Sequence, residues 1–181
     1  MQPKTKEEIE KIFLTESSFD KLFDAFKLSI DLGIEDTHLF QVLLANPHLT
    51  KEQITFFSET VCNHYPNNSY LIYLWTGNIL EQACKPCEKN ERALEYYKKA
   101  ANYNPSETEP YENMLNLYDY DIYRETNKNI IETINNNLKI IKDKHKIFNV
   151  LGEHFKKIGD MQKQAACIKL SLKYRNNKNT K

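Results

Sequence analysis

The chain has 181 residues with 25 Lys/Arg, 25 Asp/Glu, four Gly, six Pro and four Cys, and its formal net charge is zero. A chain of this length buries roughly 70% of its unfolded surface, so it needs neither a disulfide nor a metal to be stable. So little Gly and Pro excludes a loop-rich or all-β protein. The opening Met1–Glu8 is charged, and no stretch approaches the ~20 apolar residues of a membrane helix; the longest apolar run, Tyr70–Trp75, is short. The expectation is one soluble, cytoplasmic domain with reduced thiols.

Taken in order, the spacing predicts ten helices: 5–14, 17–32, 37–45, 51–64, 70–83, 90–103, 108–121, 126–142, 145–157 and 160–174. Phe19, Leu22, Phe23, Phe26 and Ile30 share one helical face, as do Ile54, Phe57 and Val61, and later Ile130, Ile134, Leu138 and Ile141. Breaks recur at Gly33–Asp36, Asn46-Pro47, Tyr65–Asn68, Lys85-Pro86, Asn104-Pro105 and Gly159-Asp160. Thr50 with Gln53 predicts a capping box, and Asp36, Ser69 and Asp160 are candidate N-caps. Pro110 is tolerable only in a first helical turn. The polar tail 175–181 is expected to fray.

Ten helices with short links predict about five antiparallel pairs, an all-α solenoid over residues 1–174. Phe148-x2-Leu151-Gly152-x2-Phe155, then Gly159-Asp160, then Ile168-x2-Ser171-Leu172 resembles a tetratricopeptide repeat. Tyr73-x3-Gly77-x2-Leu80 with Ala93-x3-Tyr97-x2-Ala100 is a second copy, and Tyr111-x2-Met114-Leu115-x2-Tyr118 opens a third. The resemblance is clear over 70–174 and weak over 1–68. Tyr73, Tyr111 and Phe148 are 38 and 37 residues apart, where the family's period is 34. The small residues Gly77, Ala93, Ala100 and Gly152 predict seams of close helix approach.

The resemblance implies a superhelix whose concave face binds a peptide or protein: a non-catalytic scaffold or adaptor. The first helices of successive pairs line that face, so it implies contacts through Tyr73, Asn78, Tyr111, Asn113, Lys146 and Asn149. Some members of the family grip an acidic C-terminus with a carboxylate clamp. Asn78, Asn113 and Lys146 stand at matching positions, but Leu74 and Val150 replace two of its cations. A structural subunit of a larger assembly is the alternative reading.

Charge sharpens the partner. Residues 139–181 carry twelve Lys/Arg and three Asp/Glu, a net +9, while residues 1–138 carry thirteen and twenty-two, a net −9. The basic block, Lys146 and Lys156 included, fits an acidic segment of another protein or of a second copy in a homo-oligomer. Aromatic interleaving there is sparse, which disfavours nucleic acid. Cys84-x2-Cys87 with Cys62 and His64 could suggest zinc, but a helix of about 20 Å separates the two sets. No nucleophile elbow, P-loop or HExxH occurs, so neither catalysis, cofactor nor metal is expected.

Overall fold

Thr5 begins the first helix by accepting from the Glu8 N–H at 3.3 Å, while Glu8 reaches back to the Thr5 N–H. The computed structural model describes residues 5–83, 91–118, 120 and 125–178. Their helices are α1 (Lys6–Thr15), α2 (Phe19–Asp31), α3 (Thr37–Leu44), α4 (Lys51–His64), α5 (Ser69–Gln82), α6 (Glu91–Tyr103), α7 (Glu109–Asn116), α8 (Glu125–Asn137), α9 (Lys144–Lys157) and α10 (Met161–Lys178). There is no strand among the described residues. The chain divides into two compact units, Met1–Tyr96 and Tyr97–Lys181, with the boundary inside α6.

The expected starts hold at Asp36, which accepts from the Leu39 N–H at 2.9 Å, and at the Thr50–Gln53 capping box. Pro110 lies in the first turn of α7. Ser69 does not cap α5. Pro66 winds a 3-10 turn over Pro66–Asn68, and Ser69 follows already helical, at φ −56 and ψ −40. Three ends also differ. α7 stops at Asn116, where the Leu117 and Tyr118 N–H groups take bonds three residues back. α8 stops at Asn137 because the Lys142 N–H donates to Ser106 O at 2.9 Å, drawing the chain off the helical path. α10 runs on through Lys178, where no Gly or Pro stops it, so the tail begins later than residue 175.

Gly33 and Gly159 are the two residues at positive φ among the described residues, 66° and 77°. Each closes its helix with the same pair of bonds. The glycine N–H reaches Ile30 or Lys156, and the next N–H reaches Ser29 or Phe155. Asp160 then caps α10 by accepting from the Lys163 N–H at 3.0 Å. One residue thus ends one helix and begins the next.

In the first unit, Ile9, Phe13, Leu22, Phe26, Leu39, Phe40, Leu43, Phe57 and Ile72 make the core. α4 and α5 run antiparallel, since Cys62 meets Ser69 while Ser58 meets Thr76, the latter at 2.8 Å. Lys6 of α1 pairs with Asp36 at the head of α3.

In the second unit, Tyr97, Ala100, Tyr111, Met114, Ile130, Ile134, Ile147 and Leu151 are buried. α9 and α10 are antiparallel, pairing His145 with Ser171 and Phe155 with Lys163. α7 and α9 run parallel, with Glu107 opposite Lys142 and Glu112 opposite Lys146. Helix pairs packed side by side, with like helices parallel, make each unit repeat-like.

The seam residues Gly77, Ala93, Ala100 and Gly152 are all buried. A Cβ on Gly152 would sit 3.6 Å from Cys167 Cβ and 3.8 Å from Ile168 Cγ1, which is ordinary contact distance. There is room for a methyl and no more. Gly152→Ala is therefore expected to gain up to about 1 kcal/mol of helix propensity, while Gly152→Leu overpacks the seam and costs about 1–3 kcal/mol. Thermal denaturation should rank Ala at or above wild type and Leu below it. A Leu variant with the wild-type midpoint would remove the seam.

Candidate functional site

The residues expected to meet a partner separate into two groups. Tyr73 and Asn78 stand on α5 in the first unit; Tyr111 and Asn113 on α7, with Lys146, Asn149 and Lys156 on α9, stand in the second.

The two tyrosines are core residues, 6% and 0% exposed. Tyr73 Oη donates to Glu59 Oε2 at 3.1 Å, and Tyr96 Oη donates to Glu59 Oε1 at 2.7 Å, so one carboxylate of α4 ties down α5 and α6. Burial, with Cys62 and Glu59 beside it, holds the Tyr73 phenol well above its ordinary range. Tyr111 Oη donates to Pro105 O at 3.0 Å, and burial pushes its phenol up to about 12. Neither ring forms part of an open groove. Asn78 and Asn113 are half-buried.

Lys146 binds Glu112 Oε2 at 2.7 Å, and this bond holds its ammonium above the usual lysine value. It therefore joins α9 to α7, with its head half exposed. Lys156 is exposed.

Asn149 belongs to a knot between α9 and α10. Ser171, 1% exposed, places its hydroxyl 2.5 Å from Asn149 Oδ1, 3.0 Å from His145 O and 2.7 Å from His145 Nδ1. The imidazole Nδ1 also lies 3.1 Å from Ser171 O, and Nε2 lies 3.4 Å from Asn149 Nδ2. The hydroxyl has one hydrogen for two oxygen neighbours, Asn149 Oδ1 and His145 O, and both imidazole nitrogens have a polar neighbour within 3.4 Å. These contacts fasten α9 to α10.

A second histidine sits at a position that no motif marks. His154 of α9 is 3% exposed, and Tyr120 Oη lies 3.0 Å from its Nδ1. Tyr118 packs edge-on at 4.5 Å, Phe155 adjoins it at 5.3 Å, and Lys157 lies 5.4 Å over the Tyr120 ring. Burial, and next Lys157, lower its pKa from 6.5. The unfolded chain therefore binds this proton more readily than the folded one. Stability is whole above about pH 6.5 and falls as pH drops from there toward the depressed folded value. Thermal scans in steps from pH 7.5 to 5 should show that fall, and His154→Gln should flatten it. An unchanged slope in the variant would assign the pH response to other groups.

An apolar groove of about 230 Å³ opens in the first unit among Phe13, Leu14, Val42, Ala45, Pro47 and Trp75. Its polar neighbours are engaged: Trp75 Nε1 donates to Gln41 O at 3.0 Å, and Asn46 is fully bonded. In the second unit, the outward side of α10 exposes Met161, Ile168 and Leu172 at 65%, 47% and 52%. The half-buried Phe148 stacks on Tyr174 at 5.8 Å, and Lys163 lies over the half-buried Phe155 at 5.3 Å.

Cys62 and Cys167 are buried and form no disulfide, one in each unit. Cys84 and Cys87, on which the zinc reading falls, lie outside the described residues. Among the described residues, no three His, Cys, Asp or Glu groups converge to hold a metal ion, and no helix is long and apolar enough to cross a membrane. Compared with protein-family models, with curated proteins and with solved structures, the chain matches none.

Proposed function

We propose that the protein is a non-catalytic protein-binding module whose partner presents an acidic segment to the second unit. The observation that carries this is the α9–α10 surface. There Lys156, Lys169, Lys173 and Arg175 are exposed beside exposed Met161, Ile168 and Leu172. Cations alone would suit a solvated face; apolar side chains of this size among them suit a macromolecular contact. The fold reading is a tetratricopeptide-like array. It is supported by like helices meeting at an offset of 34 residues, at Gln41–Trp75 within the first unit and Glu112–Lys146 within the second. The reduced, buried Cys62 and Cys167 suit a cytoplasmic setting.

Affinity capture with the full chain, followed by kinetics with the captured protein, tests the reading. Lys156→Glu with Lys173→Glu should slow association about tenfold at low salt, with little effect once salt screens the surface. Wild-type association at low salt would mean that the partner lands elsewhere. A permanent subunit is the second reading, favoured by exposed Phe23 and Phe56 in ring contact at 6.1 Å on α2 and α4. It would show as stoichiometric co-purification that resists high salt.

A further inference from the structure

α10 carries two apolar stripes. The one toward α9 holds Cys167, Ser171 and the half-buried Tyr174. The other, about a third of a turn round, holds Met161, Ala165, Ile168 and Leu172, all exposed. Their spacing of four, three and four residues is that of a coiled-coil seam. At about 100° per residue the four lie within some 60° of one another. Such a stripe is narrower than the apolar face a helix lays into a protein core, which spans about 100° or more.

The flanks fix the charge of what lies on it. Lys169 and Lys173 border the stripe on one side and Arg175 on the other, and residues 161–178 contain five Lys/Arg and no Asp or Glu. The backbone fixes the conformation. α10 spends its own N–H and C=O groups internally, so its seam offers an incoming chain no hydrogen-bond partners. An extended segment pressed there would bury unsatisfied peptide groups, at several kcal/mol each in the worst case. A helix satisfies its own. The knob spacing agrees. Met161 to Leu172 spans about 16.5 Å at 1.5 Å per residue, whereas four same-face side chains of a strand span about 20 Å.

We propose that α10 is the receiving helix for an acidic amphipathic helix of a partner protein. That helix seats its own apolar seam on Met161, Ala165, Ile168 and Leu172, and its Asp/Glu flanks face Lys169, Lys173 and Arg175. This rests on the acidic-partner reading above and adds the partner's conformation.

The test uses the full chain and three synthetic peptides of about three heptads. The first has Leu and Ile at the seam positions and Glu on the flanks. The second exchanges Glu for Lys. The third keeps the composition of the first but carries two central prolines. Fluorescence anisotropy should show the first binding at least about tenfold more tightly than either other, with affinity falling as salt rises. Met161→Glu with Leu172→Glu changes two exposed positions that take no part in the Gly152 seam. It should lower that affinity about tenfold while the circular dichroism spectrum stays unchanged. Equal binding of the first and third peptides would overturn the helix and leave the acidic partner standing. Binding of neither acidic peptide would overturn both. Binding to phosphatidylserine vesicles without binding of the first peptide would make the stripe a membrane face, and would overturn the proposal as well.

Discussion

Glu59→Ala is expected to destabilise the first unit by about 3–5 kcal/mol. The carboxylate accepts from Tyr73 and Tyr96 through separate oxygens. Both rings are buried, at 6% and 2% exposed. A hydrogen bond to a charged acceptor contributes about 1.5–3 kcal/mol. Alanine removes the acceptor from two hydroxyls at once. Glu59→Gln keeps one carbonyl oxygen and should recover about half the loss. Tyr73→Phe with Tyr96→Phe removes both donors, and Glu59→Ala added to that pair should then cost far less than it does alone. Urea denaturation of the four variants measures this. Additive losses would show that the three groups do not act together.

Asn46→Ala should come next, at about 2–4 kcal/mol. The side chain is 5% exposed and makes three bonds. Its Nδ2 donates to Phe13 O at 2.8 Å and Glu16 O at 2.9 Å, and its Oδ1 accepts from the His48 N–H at 2.9 Å. Phe13 and Glu16 lie at the C-terminal end of α1, where carbonyls have no helical partner. Asn46 therefore caps a helix from the loop after α3, thirty residues away or more. Asn46→Asp is the sharper variant. Aspartate still accepts from His48, but it sets carboxylate oxygens against two carbonyl oxygens. It should lose at least as much as alanine at neutral pH. An Asp variant as stable as wild type would mean that the amide donates to neither carbonyl.

The two residues show what a sequence reveals of such a fold. Helices were legible because their signals are local: apolar spacing, Asp36 and Thr50 at the starts, Gly33 and Gly159 at the ends. The bounds drifted where a distant group intervened, as where Ser106 O draws off the Lys142 N–H and ends α8 early. The site was not. Tyr73 and Tyr111 occupy spacings that serve equally for a groove wall and for a core. The deciding partners, Glu59 for one and Pro105 O for the other, are fixed only by packing. Asn46-Pro47 announced a turn, and nothing in the pair announced a buried cap. His154 lacks a sequence signal altogether, because its environment is assembled from Tyr118 and Tyr120 of another segment.

The buried thiols give the molecule a built-in clock. Cys62 stands in the first unit and Cys167 in the second, and neither meets a reagent in water until the helices around it part. Burial also holds the Cys167 thiol above its ordinary pKa, so it is doubly slow to react while closed. Alkylation rates followed peptide by peptide would then time the opening of each unit separately, in one sample and without an added probe. A variant such as Glu59→Ala should quicken the clock at Cys62 and leave the one at Cys167 running at its former pace.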